Sequence, residues 1–216
     1  MPKQTFNNLD AERQSQIMTA ALDEFSTQSY AEASTNRICK IAEIAKGSFY
    51  QYFEDKLDLY TYLLNQSANV KMTVFNETLK SLDTLTFLEQ IKALYLCGIE
   101  FAIQNPKYSR LGQKFAHEKN ESVKQSILKG NTQKAYSFYE HLIEQAKEKG
   151  TIKRTVNTLA LALLIQALND AVLAYITEQY DTLNYESDQE AILEFVNLEL
   201  EILKFGIDNV TKSLDF

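Results

Sequence analysis

Residues 46–56 read KGSFYQYFEDK. Gly47 and Ser48 open the stretch, Phe49, Tyr50, Tyr52 and Phe53 fill it, and Lys46 and Lys56 stand at its ends. On a helix beginning at Lys46, Phe49 and Phe53 fall four apart and form the packing face. Tyr50 and Tyr52 point about 200° apart, so one ring packs and the other offers its hydroxyl outward. A helix that enters the major groove of DNA presents its first residues to base edges and keeps bulk away from its entrance. Lys46 can reach a base or a phosphate, Gly47 permits close approach, and Ser48 adds a hydroxyl. Lys56 follows at the start of the next helix, placed to clamp a further phosphate. An ordinary core helix explains the rings but not this grouping of Lys46, Gly47 and Lys56.

The upstream residues fit the same picture. Asn8 is expected to cap a helix through LDAERQSQIMTAALDEF, with Ile17, Ala20, Ala21 and Phe25 as its apolar stripe. A short helix starts at Ser34 or Thr35 and runs to about Ile41. A three-residue break, EIA, separates it from Lys46. Helix, short helix, tight turn, short helix is the order of a helix-turn-helix. Thr35 and Asn36 sit at the start of the second helix, where backbone N–H groups and hydroxyls suit phosphate oxygen, and Arg37 adds charge beside them.

Composition sets the wider frame. With 216 residues, two Pro, six widely spaced Gly and 45% hydrophobic residues, the chain is expected to be all-α. Cys39 and Cys97 stand alone, which suits a reducing cytoplasm, and the polar residues 1–16 do not read as a signal peptide. The net charge of −7 is unfavourable for DNA as a whole. Within Ser34–Tyr50, however, Arg37, Lys40 and Lys46 outnumber Glu43, so a local basic stripe and a shallow salt dependence are expected. His117 and His141 lack the spacing of a metal site, no nucleotide or nucleophile motif occurs, and the chain reads as a non-enzyme with no cofactor, metal or catalytic residue.

Residues 9–64 resemble the DNA-binding region of the tetracycline-repressor (TetR) family of bacterial transcription regulators. The likeness runs through Ile17, Ala20, Ala21, Phe25, Tyr30, Ser34 and Ile38, and ends in KGSFYQYFEDKLDL. It implies that Ser34, Thr35 and Asn36 start the helix that touches the DNA backbone. It further implies that Lys46, Gly47, Ser48, Phe49, Tyr50 and Tyr52 belong to the recognition helix and that Lys56 is a phosphate clamp. Two positions depart from the family: Glu43 replaces a turn glycine, and Ala45 replaces a serine cap. A missing cap costs about 1 kcal/mol, and a left-handed Glu more.

Beyond the motif, helices are expected over 85–104, 107–117, 121–149, 155–179 and 188–212, making about nine in all. Gly150 would end the third of these, and 159–176 reads as a buried helix rather than a membrane span. The resemblance implies a domain at 1–55 for DNA and one at 56–216 for effector binding and dimerisation. Phe75, Tyr95, Phe115, Tyr136, Tyr139, Asn169 and Asp170 are candidate lining for a small, largely apolar effector. The last two helices, apolar on more than one side, are expected to pair two copies across a two-fold axis. The function implied is a cytoplasmic repressor that leaves a pseudo-palindromic double-stranded operator when effector binds. An activator, or a ligand-independent dimer acting through a protein partner, is the alternative.

Overall fold

Asp10, not Asn8, caps the first long helix: its carboxylate accepts the Arg13 amide at 2.7 Å. Asn8 instead closes a four-residue helix that sequence pattern did not reveal, α1 (Gln4–Asn7). From there the computed structural model runs α2 (Ala11–Thr27), α3 (Thr35–Ile41), α4 (Lys46–Tyr52), α5 (Lys56–Ser81), α6 (Phe87–Gln104), α7 (Pro106–Ala116), α8 (Glu121–Leu128), α9 (Asn131–Glu148), α10 (Thr158–Gln179) and α11 (Tyr185–Phe205). It describes residues 2–81, 84–128, 131–179 and 184–206, with the backbone alone at 79, 81, 131–136 and 177–179. Among them there is no strand, and the fold is all-α. The expected helix over 121–149 is seen as α8 and α9, with residues 129 and 130 outside the described residues. Residues 207–212 of the expected last helix lie outside the described residues, and Gly206 (φ 74°) terminates α11 instead of lying within it.

The chain forms two compact units. One comprises Met1–Asn76 with Glu100–Thr132, the other Glu77–Ile99 with Gln133–Phe216. The division runs inside α5, so no linker separates the units, and residues 56–76 and 100–132 accompany the first 55.

In the first unit α2 packs on α3 and α7, and α4 packs on α1 and α3. The stripe expected on α2 is buried at Ile17, Ala20, Ala21 and Phe25. Phe6 of α1 inserts its ring beside Phe53 at 5.0 Å and Tyr52 at 6.2 Å. Leu111 of α7 and Val123 of α8 close the same core.

In the second unit α9 ends in a glycine-dependent turn. The Thr151 N–H donates to the Ala146 carbonyl at 3.0 Å and the Gly150 N–H to Lys147 at 3.2 Å. Gly150 carries φ 73°, the left-handed residue this cap requires. Asn157 then caps α10 by accepting the Ala160 N–H at 2.9 Å, and Asn184 caps α11 by accepting the Glu186 N–H at 3.0 Å. α10 packs on α11, with the Tyr175 and Phe195 rings stacked at 4.1 Å. The apolar run is not the buried helix expected. Thr158–Ile176 is long and apolar enough to cross a membrane, yet only 22% of it is buried within the chain. Leu159, Leu163 and Leu164 on α10 and Leu198, Ile202 and Phe205 on α11 stand exposed.

Candidate nucleic-acid interface

The turn between α3 and α4 keeps the geometry of a glycine turn without the glycine. Glu43 has φ 51°, the one left-handed non-glycine residue among those described. The Ile44 N–H donates to the Cys39 carbonyl at 2.9 Å and the Glu43 N–H to Lys40 at 3.3 Å, the paired bonds of a left-handed helix cap. A guanidinium completes the arrangement. Arg13 reaches from α2 to donate to the Glu43 carbonyl at 2.8 Å and to Gln16 at 2.5 Å.

α4 leaves this turn with its two faces sharply divided. Phe49 is fully buried, so it supports the helix and cannot itself touch DNA, correcting its place among the contact residues. Lys46, Gly47 and Tyr50 are exposed, and Ser48 is half-buried. Of the two tyrosines, Tyr52 packs on Phe6 and Tyr50 is the outward ring, 47% exposed. A Cβ added at Gly47 would meet nothing within 4 Å, so the unbound protein does not require glycine there. Ala45 makes no side-chain cap. The far end of α4 is secured instead by the first residues of the chain. The Lys3 N–H donates to the Tyr52 carbonyl at 2.8 Å, the Lys3 ammonium to Tyr50 at 2.9 Å, and the Thr5 hydroxyl to Gln51.

α3 is anchored by a residue that sequence reasoning missed. Glu24, only 6% exposed, accepts the Ser34 N–H at 2.7 Å and the Arg37 guanidinium at 2.5–3.1 Å. Burial alone would raise its pKa. Arg37 and the Ser34 amide outweigh burial and hold the carboxyl below its ordinary value. An acidic residue in the last turn of an otherwise amphipathic helix was the available signal. Arg37 is therefore engaged with Glu24 and with the Glu32 carbonyl, although half its side chain remains exposed. Ser34 is the α3 cap, Thr35 is half-buried, and Asn36 and Lys40 are exposed.

Lys56 also has a different place from the expected phosphate clamp. Its ammonium donates to the carbonyls of Tyr30 at 2.6 Å, Ala33 at 3.0 Å and Ala31 at 3.3 Å, and lies 4.5 Å from the Tyr30 ring centre. Burial lowers its pKa, with Glu24 and Glu118 opposing. It ties down the loop before α3, leaving Lys40 and Lys46 as the outward cations of this face.

The candidate effector-lining residues fall in different units. Phe75 lies under Lys71 at 5.1 Å and Phe115 beside Tyr60 at 6.4 Å, both in the first unit. Tyr95, Tyr139, Asn169 and Asp170 belong to the second. The Tyr136 side chain lies outside the described residues. Asn169 is half-buried and Asp170 exposed, the latter accepting from Gln166 at 3.0 Å. The internal partner expected for a buried Asp170 is therefore not required.

Residues 17–63, from the middle of α2 to the first turns of α5, match the family described as bacterial regulatory proteins, tetR family. The HTH-type transcriptional regulator UidR of Escherichia coli K12 is 23% identical over 177 residues, covering 78% of this chain and 85% of UidR. A TetR-family transcriptional regulator of Chloroflexus aurantiacus is similar in structure, at TM-score 0.62 and 26% identity, covering 95% of this chain and 98% of its own. A putative TetR-family regulator of Syntrophomonas wolfei superposes at TM-score 0.72 and 25% identity, with 93% and 98% covered. The fold alone is shared with Bacillus subtilis FadR in complex with stearoyl-CoA, at TM-score 0.66 and 18% identity over 90% of this chain and 99% of FadR. Residues 17–63 thus carry the DNA-binding domain of the tetR family, and over most of its length the chain is similar to transcriptional regulators of that family.

Proposed function

We propose that the protein is a homodimeric repressor that binds a pseudo-palindromic operator through α4 and releases it when a small molecule occupies the second unit. The observation that carries the reading is the division of α4. Phe49 is sealed in the core while Lys46, Gly47 and Tyr50 stand free on the opposite side. A rigid helix with a small residue between a cation and an aromatic hydroxyl suits base edges and flanking phosphate. Ser34, Thr35 and Asn36 would take backbone phosphate beside it, with Arg37 and Lys56 positioning them from behind.

Dimerisation is supported by the leucines left bare on α10 and α11. Contiguous apolar surface of this kind marks an interface. Gln166, Asn169 and Asp170 in the middle of α10 favour a protein surface over lipid, where such groups are costly. A second copy also supplies the second recognition helix that a two-fold operator requires. The small-molecule response is supported by the stearoyl-CoA complex of FadR, a protein of the same fold. Cytoplasmic action follows from the same family likeness.

The test is the double variant Lys46→Ala/Tyr50→Ala, titrated against the chain's own promoter DNA by fluorescence anisotropy. Losing two base-proximal groups at roughly 1–3 kcal/mol each reduces affinity by about 30-fold or more, with an unchanged helical spectrum. Undiminished sequence-selective binding would overturn the reading. Gly47→Ala sharpens it: the free protein has room for the methyl group, so any loss of affinity reports the closeness of DNA. For the dimer, Leu163→Glu/Ile202→Glu is expected to sediment as a monomer.

A further inference from the structure

α4 is too short to stand on its own bonds. It has seven residues, where an isolated helix needs roughly 12–15. Ala45 gives it no side-chain cap, and its last turn holds no basic residue. The Phe53 N–H donates to the Phe49 carbonyl at 2.9 Å, but the next amide, of Glu54, turns away to the Asp58 carboxylate at 3.1 Å. The carbonyls of Tyr50, Gln51 and Tyr52 are left for donors from outside the helix, the usual deficit at a helix C-terminus.

Residues 3 and 5 meet all three. The Lys3 N–H donates to the Tyr52 carbonyl at 2.8 Å, the Lys3 ammonium to the Tyr50 carbonyl at 2.9 Å, and the Thr5 hydroxyl to the Gln51 carbonyl. The ammonium also pairs with Glu54 at 2.8 Å and supplies the positive charge that favours a helix C-terminus. These donors are themselves held. The Lys3 carbonyl accepts the Phe6 N–H at 2.9 Å, and the buried Phe6 ring sits 5.0 Å from Phe53 and 6.0 Å from Tyr62. The carbonyl that Lys3 holds belongs to Tyr50, whose ring stands outward. Lys3 thus fixes the backbone from which that ring projects.

We propose that Lys3 and Thr5 are positioning residues for operator recognition, completing the end of α4 and so setting the direction in which Lys46 and Tyr50 meet the groove. This rests on the reading of α4 as the recognition helix. It extends the DNA-reading machinery to residues ahead of the matched segment 17–63. Neither residue is required to touch DNA. An exposed ion pair such as Lys3–Glu54 contributes little by itself, so the effect falls on the aim of α4 more than on the stability of the protein.

The test is Lys3→Ala/Thr5→Val in the full-length chain, titrated by fluorescence anisotropy against the chain's own promoter DNA and against a scrambled duplex. Promoter affinity is expected to fall at least tenfold and scrambled-duplex affinity less than twofold, with a melting temperature near that of wild type. Lys3→Arg, which keeps the charge and the donors, recovers most of the promoter affinity. Two readouts separate positioning from a direct contact or a general structural role. The slope of log affinity against log salt stays as in wild type, whereas a lysine on a phosphate would take about one unit from it. Amide hydrogen exchange of free α4 accelerates at least tenfold while that of α2 is unchanged.

Unchanged promoter affinity, an equal loss on the scrambled duplex, a salt slope smaller by one, or α4 exchange as slow as in wild type would each overturn the assignment. Lys46→Ala/Tyr50→Ala, measured alongside, keeps the two readings apart. If it loses affinity while Lys3→Ala/Thr5→Val does not, the positioning role alone falls and α4 remains the recognition helix. If it binds like wild type, α4 does not read the operator, and the positioning role falls with that reading.

Discussion

The two units treat their buried charges in opposite ways. In the first, Glu24 meets Arg37 and the Ser34 amide, Lys56 meets three carbonyls, and Arg13 meets the Glu43 carbonyl. In the second, Glu199 is buried with no partner among the described residues, and six large apolar side chains of α10 and α11 face outward. A unit whose buried charges are paired holds a fixed shape, as a helix that reads DNA must. A unit with bare apolar faces and an unsatisfied carboxylate suits completion from outside, as the proposed second copy and effector would supply. The difference separates a part built for geometry from a part built for occupancy.

The most severe way to break the first half of that comparison is Glu24→Ala. It leaves the Ser34 amide and the buried side of Arg37 without their acceptor, at a cost of roughly 3 kcal/mol. Because α3 loses its anchor, operator affinity falls together with stability. Acid titration gives a second check. The folded pKa of Glu24 lies below its ordinary value, so its contribution is complete above the ordinary carboxylate range and is lost as pH falls through the folded value. Urea unfolding followed by circular dichroism from pH 7 to pH 3 should show wild type losing this increment and the alanine variant lacking it throughout. Equal pH profiles would mean that the ion pair does not stabilise the unit.

Glu199→Gln tests the other half, with opposite sign. The folded pKa of about 7 exceeds the unfolded carboxylate value, so wild type is destabilised progressively as pH rises from about 4.5 to 7. Replacing the carboxyl by an amide removes that loss. The variant should be more stable than wild type by roughly 2–3 kcal/mol at pH 8 and nearly equal to it at pH 4.5. A pH series of thermal melts without ligand decides the matter. A destabilised Gln variant at pH 8 would reveal a partner for the carboxylate and bring the two units closer in kind.

The units also differ in how much of them could be read in advance. The boundaries of α3 and α4 and the outward place of Lys46 and Tyr50 follow from local signals: a serine cap, a left-handed turn, and aromatic residues four apart. The capping role of Gly150 and the helical character of the remaining chain were equally local. Glu24, Arg13 and Lys56 were not legible in their true roles, because each acts on backbone groups 10 to 30 residues away. α1 escaped notice because four residues carry no period. Glu199 was hidden by its own chemistry, since a glutamate in a helix ordinarily faces water. Conversely, Asp170 was expected to be buried because its helix is apolar, and much of that helix, Leu159, Leu163 and Leu164 included, proves to be exposed.

The smallest expected effect concerns the one place where the described residues of the first unit carry left-handed backbone strain. Glu43 occupies a left-handed conformation that suits glycine, and Arg13 donates to its carbonyl. Glu43→Gly should stabilise the protein by about 1 kcal/mol, by relieving a conformation that costs an L-residue about that much. Arg13→Ala should destabilise it by about 1 kcal/mol, the worth of a charged hydrogen bond at a partly exposed site. If Arg13 holds the turn against its preference for another conformation, its removal will cost less once glycine is present. A double-mutant cycle measures that coupling, both in urea unfolding and in operator affinity. The coupling should be larger in affinity, because a turn that relaxes in free protein re-aims α4 before the core is disturbed. Strictly additive energies in both measurements would show that the turn is fixed by the Ile44 and Glu43 amide bonds alone, and that Arg13 is incidental to it.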